Sequence, residues 1–148
     1  MRIKIILFSF CFLLMASSGF AQKKKVPKSI ISEKVAIKKY HNKAELETMQ
    51  KGALLGLYME RIESLVKTLP YIAFATKPGI TMSSLGIPND NDNRKILDNQ
   101  FEATDDYVQS TTEFQNEILP YSDTNNLVAA ILFYEEIMKS LHEYSEFH

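Results

Sequence analysis

The 148-residue chain carries 17 basic and 18 acidic side chains, one cysteine, no tryptophan, five glycines and five prolines. That length suffices for one domain with a real core and is too short for two. The composition excludes collagen-like, mucin-like and disulfide-stapled chains, and 12 aromatic residues beyond position 21 argue against disorder throughout.

Residues 1–21 read as a cleavable export signal. Arg2 and Lys4 make a basic start, and Ile5 to Ala16 is uncharged and apolar. Gly19 and Ala21 then supply the small residues a signal peptidase reads, so cleavage is expected after Ala21. The apolar run is shorter than the roughly 20 residues a membrane-spanning helix needs. An uncleaved anchor is the alternative, because Lys23, Lys24 and Lys25 follow at once and disfavour their own translocation. Cys11 lies inside the apolar run and not at the cleavage point, which speaks against a lipid anchor. Beyond residue 21 there is no cysteine. Disulfides, thiolate zinc sites and cysteine nucleophiles are thereby excluded from the mature chain, whose expected location is periplasmic or extracellular.

Residues 22–42 read as a basic arm and 43–148 as the helical domain. Residues 22–45 hold eight lysines against Glu33 and Glu45, a net charge of +6, whereas residues 46–148 carry a net charge of −9. A near-neutral total thus hides a polarised molecule. The arm is either solvated, folded back on the acidic helices, or in contact with an anionic surface through Lys23, Lys24, Lys25 and Lys28. Within it, Ser29–Asn42 fits a short fourth helix (Ile30, Ile37, Tyr40) better than a strand.

Three long helices are predicted in an all-α antiparallel bundle, over about 43–69, 90–119 and 124–146. The first ends before Pro70. It carries one stripe at three- and four-residue spacing (Leu55, Tyr58, Met59, Ile62, Leu65, Val66, Leu69) and a second on another side (Leu46, Met49, Ala53, Leu57). A helix apolar on two sides must be covered on two sides, which makes it the central one. The second starts at Asp90 or Asp92, where the Asn/Asp cluster supplies caps, and Pro120 ends it. Its stripe is Ile96, Leu97, Phe101, Tyr107, Val108, Phe114 and Ile118, with Thr104 and Thr111 in line. Asp123 or Thr124 caps the third, whose inner face is Leu127, Ala130, Ile131, Tyr134, Ile137, Met138, Leu141 and Tyr144. Glu135 and Lys139 are expected to pair on its outer side. The connection 70–89 is long and apolar, and it is expected to pack on the exposed second face of the first helix.

Chemical motifs are few. Gly52 and Gly56 form a G-x-x-x-G step that costs a helix on the order of 1 kcal/mol per glycine, so close packing near Ala129 and Ala130 is expected in return. Room for a small apolar ligand is the functional alternative. Residues 89–94 invite a calcium reading, but an EF-hand loop opening at Asp90 would meet Arg94, Lys95 and Phe101 where an oxygen ligand, glycine and glutamate belong. Helix capping accounts for them. Asp98, Glu102 and Asp105 line up at i, i+4 and i+7, and with Glu135 and His142 are expected to face water. His41, His142 and His148 lack ligand spacing. No nucleophile elbow, phosphate loop or dinucleotide fingerprint occurs, and the acidic domain argues against nucleic acid.

The expected function is therefore that of an exported, non-catalytic helical domain without cofactor or metal. It would bind a protein partner in the cell envelope, as an inhibitor or immunity-type protein or as an accessory subunit. The expected contact residues are Tyr71, Phe74, Asp98, Glu102, Asp105 and Tyr121. The alternative is a carrier of a small apolar ligand, with a pocket between the first helix and the 70–89 segment. A cavity gathering Asp98, Glu102, Glu135 or His142 would count against the non-catalytic reading.

Overall fold

In the computed structural model, which describes residues 27–144, the helix predicted over 43–69 forms as two: α1 (Lys43–Glu47) and α2 (Lys51–Val66). The second and third predicted helices follow as α3 (Asn91–Ile118) and α4 (Thr124–Tyr144). Among the described residues no strand forms; Ser29 and Thr81 make one isolated antiparallel bridge. The bundle is all-helical, with α2 packed mainly on α4, and α1 and α3 completing it.

The break at Thr48–Gln50 resolves the two stripes read on one helix. Thr48 turns its hydroxyl back onto the Glu45 carbonyl at 2.7 Å, and Gln50 takes an extended conformation. The chain re-enters helix in a new phase, so Leu46 of α1 and Leu54 of α2 are both fully buried in one cluster with Leu127, Val128 and Ile131. A straight helix would set these two leucines about 80° apart at 100° per residue.

Helix ends follow local chemistry. Asn42 opens α1 with a reciprocal capping box: its side chain accepts from the Glu45 N–H at 2.9 Å, and the Glu45 carboxylate accepts from the Asn42 N–H at 3.0 Å. Asp90 caps α3 through the Asn93 N–H at 2.8 Å, and Asp123 accepts from the Asn125 N–H at 2.7 Å to start α4. Pro120 sits in a 3-10 turn (Leu119–Tyr121) that ends α3 and sets α4 running back.

A second cluster lies at the other end of the bundle. Ile30, Ile31 and Val35 of the arm are buried there with Tyr71, Ala75, Met82 and Leu97. The 70–89 segment therefore packs against the arm and α3, and not on a second face of the first helix as its sequence suggests. In place of the expected short fourth helix, the arm carries a single 3-10 turn (Glu33–Val35). The isolated bridge, with the Ile30 N–H donating to the Ile80 carbonyl at 2.8 Å, ties it to the 70–89 segment. Gly86 closes the 3-10 turn Ser83–Leu85 at a φ of 75°, a conformation that favours glycine.

Gly52 and Gly56 do not sit against Ala129 and Ala130. Both are exposed, and a Cβ added to either would meet nothing within 4 Å. The helix loses propensity there with no packing in return. Gly52→Ala and Gly56→Ala should each stabilise the protein by up to about 1 kcal/mol, read as a higher urea midpoint; destabilisation by either would show that the bare strip is needed.

Candidate functional site

The polar centre of the molecule is a junction of three segments. Arg61 of α2, Glu135 of α4 and His41 of the arm meet at the boundary between the two clusters. Arg61 is 1% exposed and Glu135 is fully buried. The guanidinium reaches one carboxylate oxygen through Nε at 2.9 Å and through its terminal nitrogen at 2.7 Å. That terminal nitrogen also donates to the Lys39 carbonyl at 2.7 Å, and the other one to Glu60 at 3.0 Å. The His41 N–H donates to the second Glu135 oxygen at 2.6 Å, while its imidazole Nδ1 lies 3.0 Å from the first.

The arm explains why α2 buries polar groups here. An irregular segment has no ladder to satisfy its carbonyls, and a buried carbonyl needs a donor. Arg61 serves Lys39, and one turn further on Ser64 serves Val35 at 2.7 Å. Thr68, also buried, satisfies itself on the Ser64 carbonyl at 2.7 Å. Polar side chains on the inner line of α2 thus hold an arm that could not otherwise be buried.

Burial alone pushes the Glu135 carboxyl up. The hydrogen bonds from the His41 N–H and imidazole, then those from Arg61 with its charge, outweigh it and hold the group below its ordinary value of 4.5. A carboxylate offers about four lone-pair sites, and this one has four contacts within hydrogen-bond distance. Three of the four fall on one oxygen and the His41 N–H alone on the other, so the ion pair links three segments of the chain. Beside it, burial and the neighbouring Tyr58 hydroxyl push the Tyr134 hydroxyl up to about 12, with the two rings edge-on at 5.6 Å in the α2–α4 seam.

Glu135 was expected on the solvent side of its helix, paired with Lys139. It points inwards, and Lys139 pairs with Glu136 at 3.3 Å instead. His142 also departs from expectation: it is half-buried, its Nδ1 lies 3.3 Å from the Tyr40 hydroxyl, and it lines a cavity. Asp98 and Glu102 remain exposed on α3, so the four residues do not gather in one cavity.

The residues expected to touch a partner are dispersed. Tyr71 is 6% exposed, stacked edge-on with Phe101 at 5.9 Å inside the arm-end cluster, and cannot serve a surface. Its ring is more useful covering apolar neighbours than facing water, which overrides the expectation from a loop position. Phe74 is exposed nearby. Asp98 pairs with Lys28 at 2.7 Å and Asp105 with Lys67 at 2.7 Å, so two of the three acidic groups on that face are balanced within the chain. Lys28 also lies over the Phe101 ring at 4.3 Å. Of the four lysines expected at an anionic surface, Lys23, Lys24 and Lys25 lie outside the described residues. Tyr121 is 88% exposed, but lies about 24 Å along the α3 axis from Asp105.

A different surface takes shape around Tyr121. Helix α3 has an inner line of mixed character and an outer apolar one. The inner one (Leu97, Phe101, Thr104, Val108, Thr111, Gln115) faces the bundle. The outer one (Ile96, Tyr107, Phe114, Ile118) is more than half exposed along its length, with Phe114 at 64%. From Tyr107 to Ile118 it runs about 16 Å, and Tyr121 extends it. Asp106, Glu113 and Glu117 edge it on the solvent side, all exposed and without an ion pair among the described residues.

The sequence did contain a signal for the junction. Glu135 stands four residues after Ile131 and three before Met138, both buried, so spacing alone puts it on the inner line. Arg61 is the one basic residue between Gly52 and Val66. Following apolar residues alone shifts the inner line of α2 by one position and hides it. Among the described residues, no three of His, Cys, Asp and Glu gather as a metal site would need. No helix there is long and apolar enough to cross a membrane. No protein-family model matches the chain, and no curated protein or solved structure is similar to it.

Proposed function

We propose that this protein is an exported, non-catalytic helical domain that binds a protein partner in the cell envelope, as an inhibitor or immunity-type protein or as an accessory subunit. The observation that supports it is the outer line of α3: Tyr107, Phe114, Ile118 and Tyr121 exposed in a row beside unpaired carboxylates. Contiguous exposed apolar rows with a polar rim mark interaction surfaces, and aromatic residues supply most of the energy when such rows are covered. The signal-like residues 1–21 support export. Contact residues are thereby reassigned: Tyr121 stays, Phe114, Tyr107 and Ile118 join it, and Tyr71 leaves.

To test this, the full chain carrying a carboxy-terminal tag is expressed in its own cells, cross-linked and recovered from the envelope fraction. One stoichiometric companion is expected. Phe114→Ala and Tyr121→Ala should each weaken its capture by about tenfold or more, with unchanged helical circular dichroism because both side chains are exposed. Repeated recovery with no companion, or capture indifferent to both substitutions, would overturn the reading.

A further inference from the structure

The cavity between the arm, the 70–89 segment and the carboxy-terminal half of α4 has a volume of about 350 Å³. That is at the lower end of the range for small-molecule sites. Ile31, Val35, Ile37 and Met138 give it apolar walls. Two polar groups stand out in the lining. The Thr76 hydroxyl is buried and has no hydrogen-bond partner. Lys77, next to it, is exposed and makes no ion pair or hydrogen bond among the described residues. A buried hydroxyl normally finds an acceptor, and the Lys77 ammonium adds a cation to the same lining.

The contrast with the other cavity is instructive. It is about 430 Å³ and lined by Lys28, Arg94 and Asp98 among others. Its polar groups are engaged within the chain: Lys28 pairs with Asp98, and Arg94 donates to the Asn89 carbonyl at 2.8 Å and to the Asn91 side chain. No buried, unpartnered polar side-chain atom lines it among the described residues.

We infer that the first cavity binds a small amphiphilic carboxylate, its hydrocarbon part between Ile31, Val35, Ile37 and Met138 and its carboxylate between the Thr76 hydroxyl and the Lys77 ammonium. The apolar walls bind the chain without directional preference, and the hydroxyl and ammonium together select a headgroup that only accepts hydrogen bonds. His142, already engaged with Tyr40, forms part of the wall. The site lies apart from the outer line of α3 and does not depend on partner binding.

The test uses protein recovered from cells expressing the full sequence, with decanoate as the probe and decanol as its neutral counterpart. Calorimetry should show saturable 1:1 binding of decanoate, about tenfold tighter than decanol. Lys77→Met should remove most of that difference and leave decanol unaffected; Lys77 is exposed, so this variant keeps its fold. Thr76→Val, nearly isosteric, should act in the same direction. Amide shifts in nuclear magnetic resonance should concentrate at residues 35–37, 76, 77, 138 and 142. Equal binding of decanol, indifference to Lys77→Met, or no binding at all would overturn the carboxylate site. Shifts confined to the Tyr107–Ile118 line would do the same, by showing that the probe only coats the exposed aromatic row.

Discussion

Glu135→Leu is expected to destabilise the protein by about 3–5 kcal/mol, because it leaves the Arg61 guanidinium buried without its buried counter-charge and with only the half-exposed Glu60 beside it. Arg61→Leu should cost a comparable amount by stranding Glu135 and orphaning the Lys39 carbonyl. The pair Arg61→Leu with Glu135→Leu should cost clearly less than the two singles together. Desolvating two ions consumes most of what their attraction returns, so apolar replacement of both is far gentler than removal of one. A urea-denaturation cycle across the four proteins measures this directly. Additive costs would mean that Arg61 and Glu135 act through unrelated neighbours, and the junction would not be a unit.

The same cycle has a pH signature. The Glu135 carboxyl lies below its ordinary value of 4.5 in the folded protein. A depressed carboxylate stabilises the fold fully above its unfolded value and loses that contribution as pH falls through the lower folded value. Stability of the wild type should therefore fall with acidification below about pH 4.5, and the doubly substituted protein should show a shallower fall.

Ile31→Ala should cost about 2–4 kcal/mol, the usual range for emptying a buried aliphatic site. Ile31 is 2% exposed and packs in the cluster that joins the arm to Tyr71, Met82 and Leu97. Lys28→Ala, a few residues away, should cost less than about 1 kcal/mol, since both members of the Lys28–Asp98 pair are more than half exposed to solvent and its salt. The order of these two effects decides what holds the arm. A basic segment facing an acidic helix suggests electrostatic tethering, but the magnitudes favour apolar burial. If Lys28→Ala proved the more damaging, the arm would be a charged tail resting on the bundle.

The two substitutions also mark where sequence reading stops. Both ends of α3 and the start of α4 were legible because caps and prolines act within a few residues: Asp90, Pro120 and Asp123 each do locally what their side chains or rings permit. The all-helical class was legible for a similar reason, since apolar residues at three- and four-residue spacing leave a helix nowhere else to put its stripe.

The inside of the molecule was less accessible. Arg61 and Ser64 are buried on α2 because an irregular arm, distant in sequence, brings carbonyls that need donors. No local pattern on α2 announces such a neighbour. Glu135 stays charged on the inner line of its helix because Arg61 and His41 meet it there, and Tyr71 is buried because Phe101 and the arm cover it. The break at Thr48–Gln50 follows from two leucines seeking one core. Local chemistry set where α3 begins and ends and where α4 begins; which side of each helix is wet was decided by segments that meet only when the chain is folded, because the burial of a polar group depends on the partner it finds.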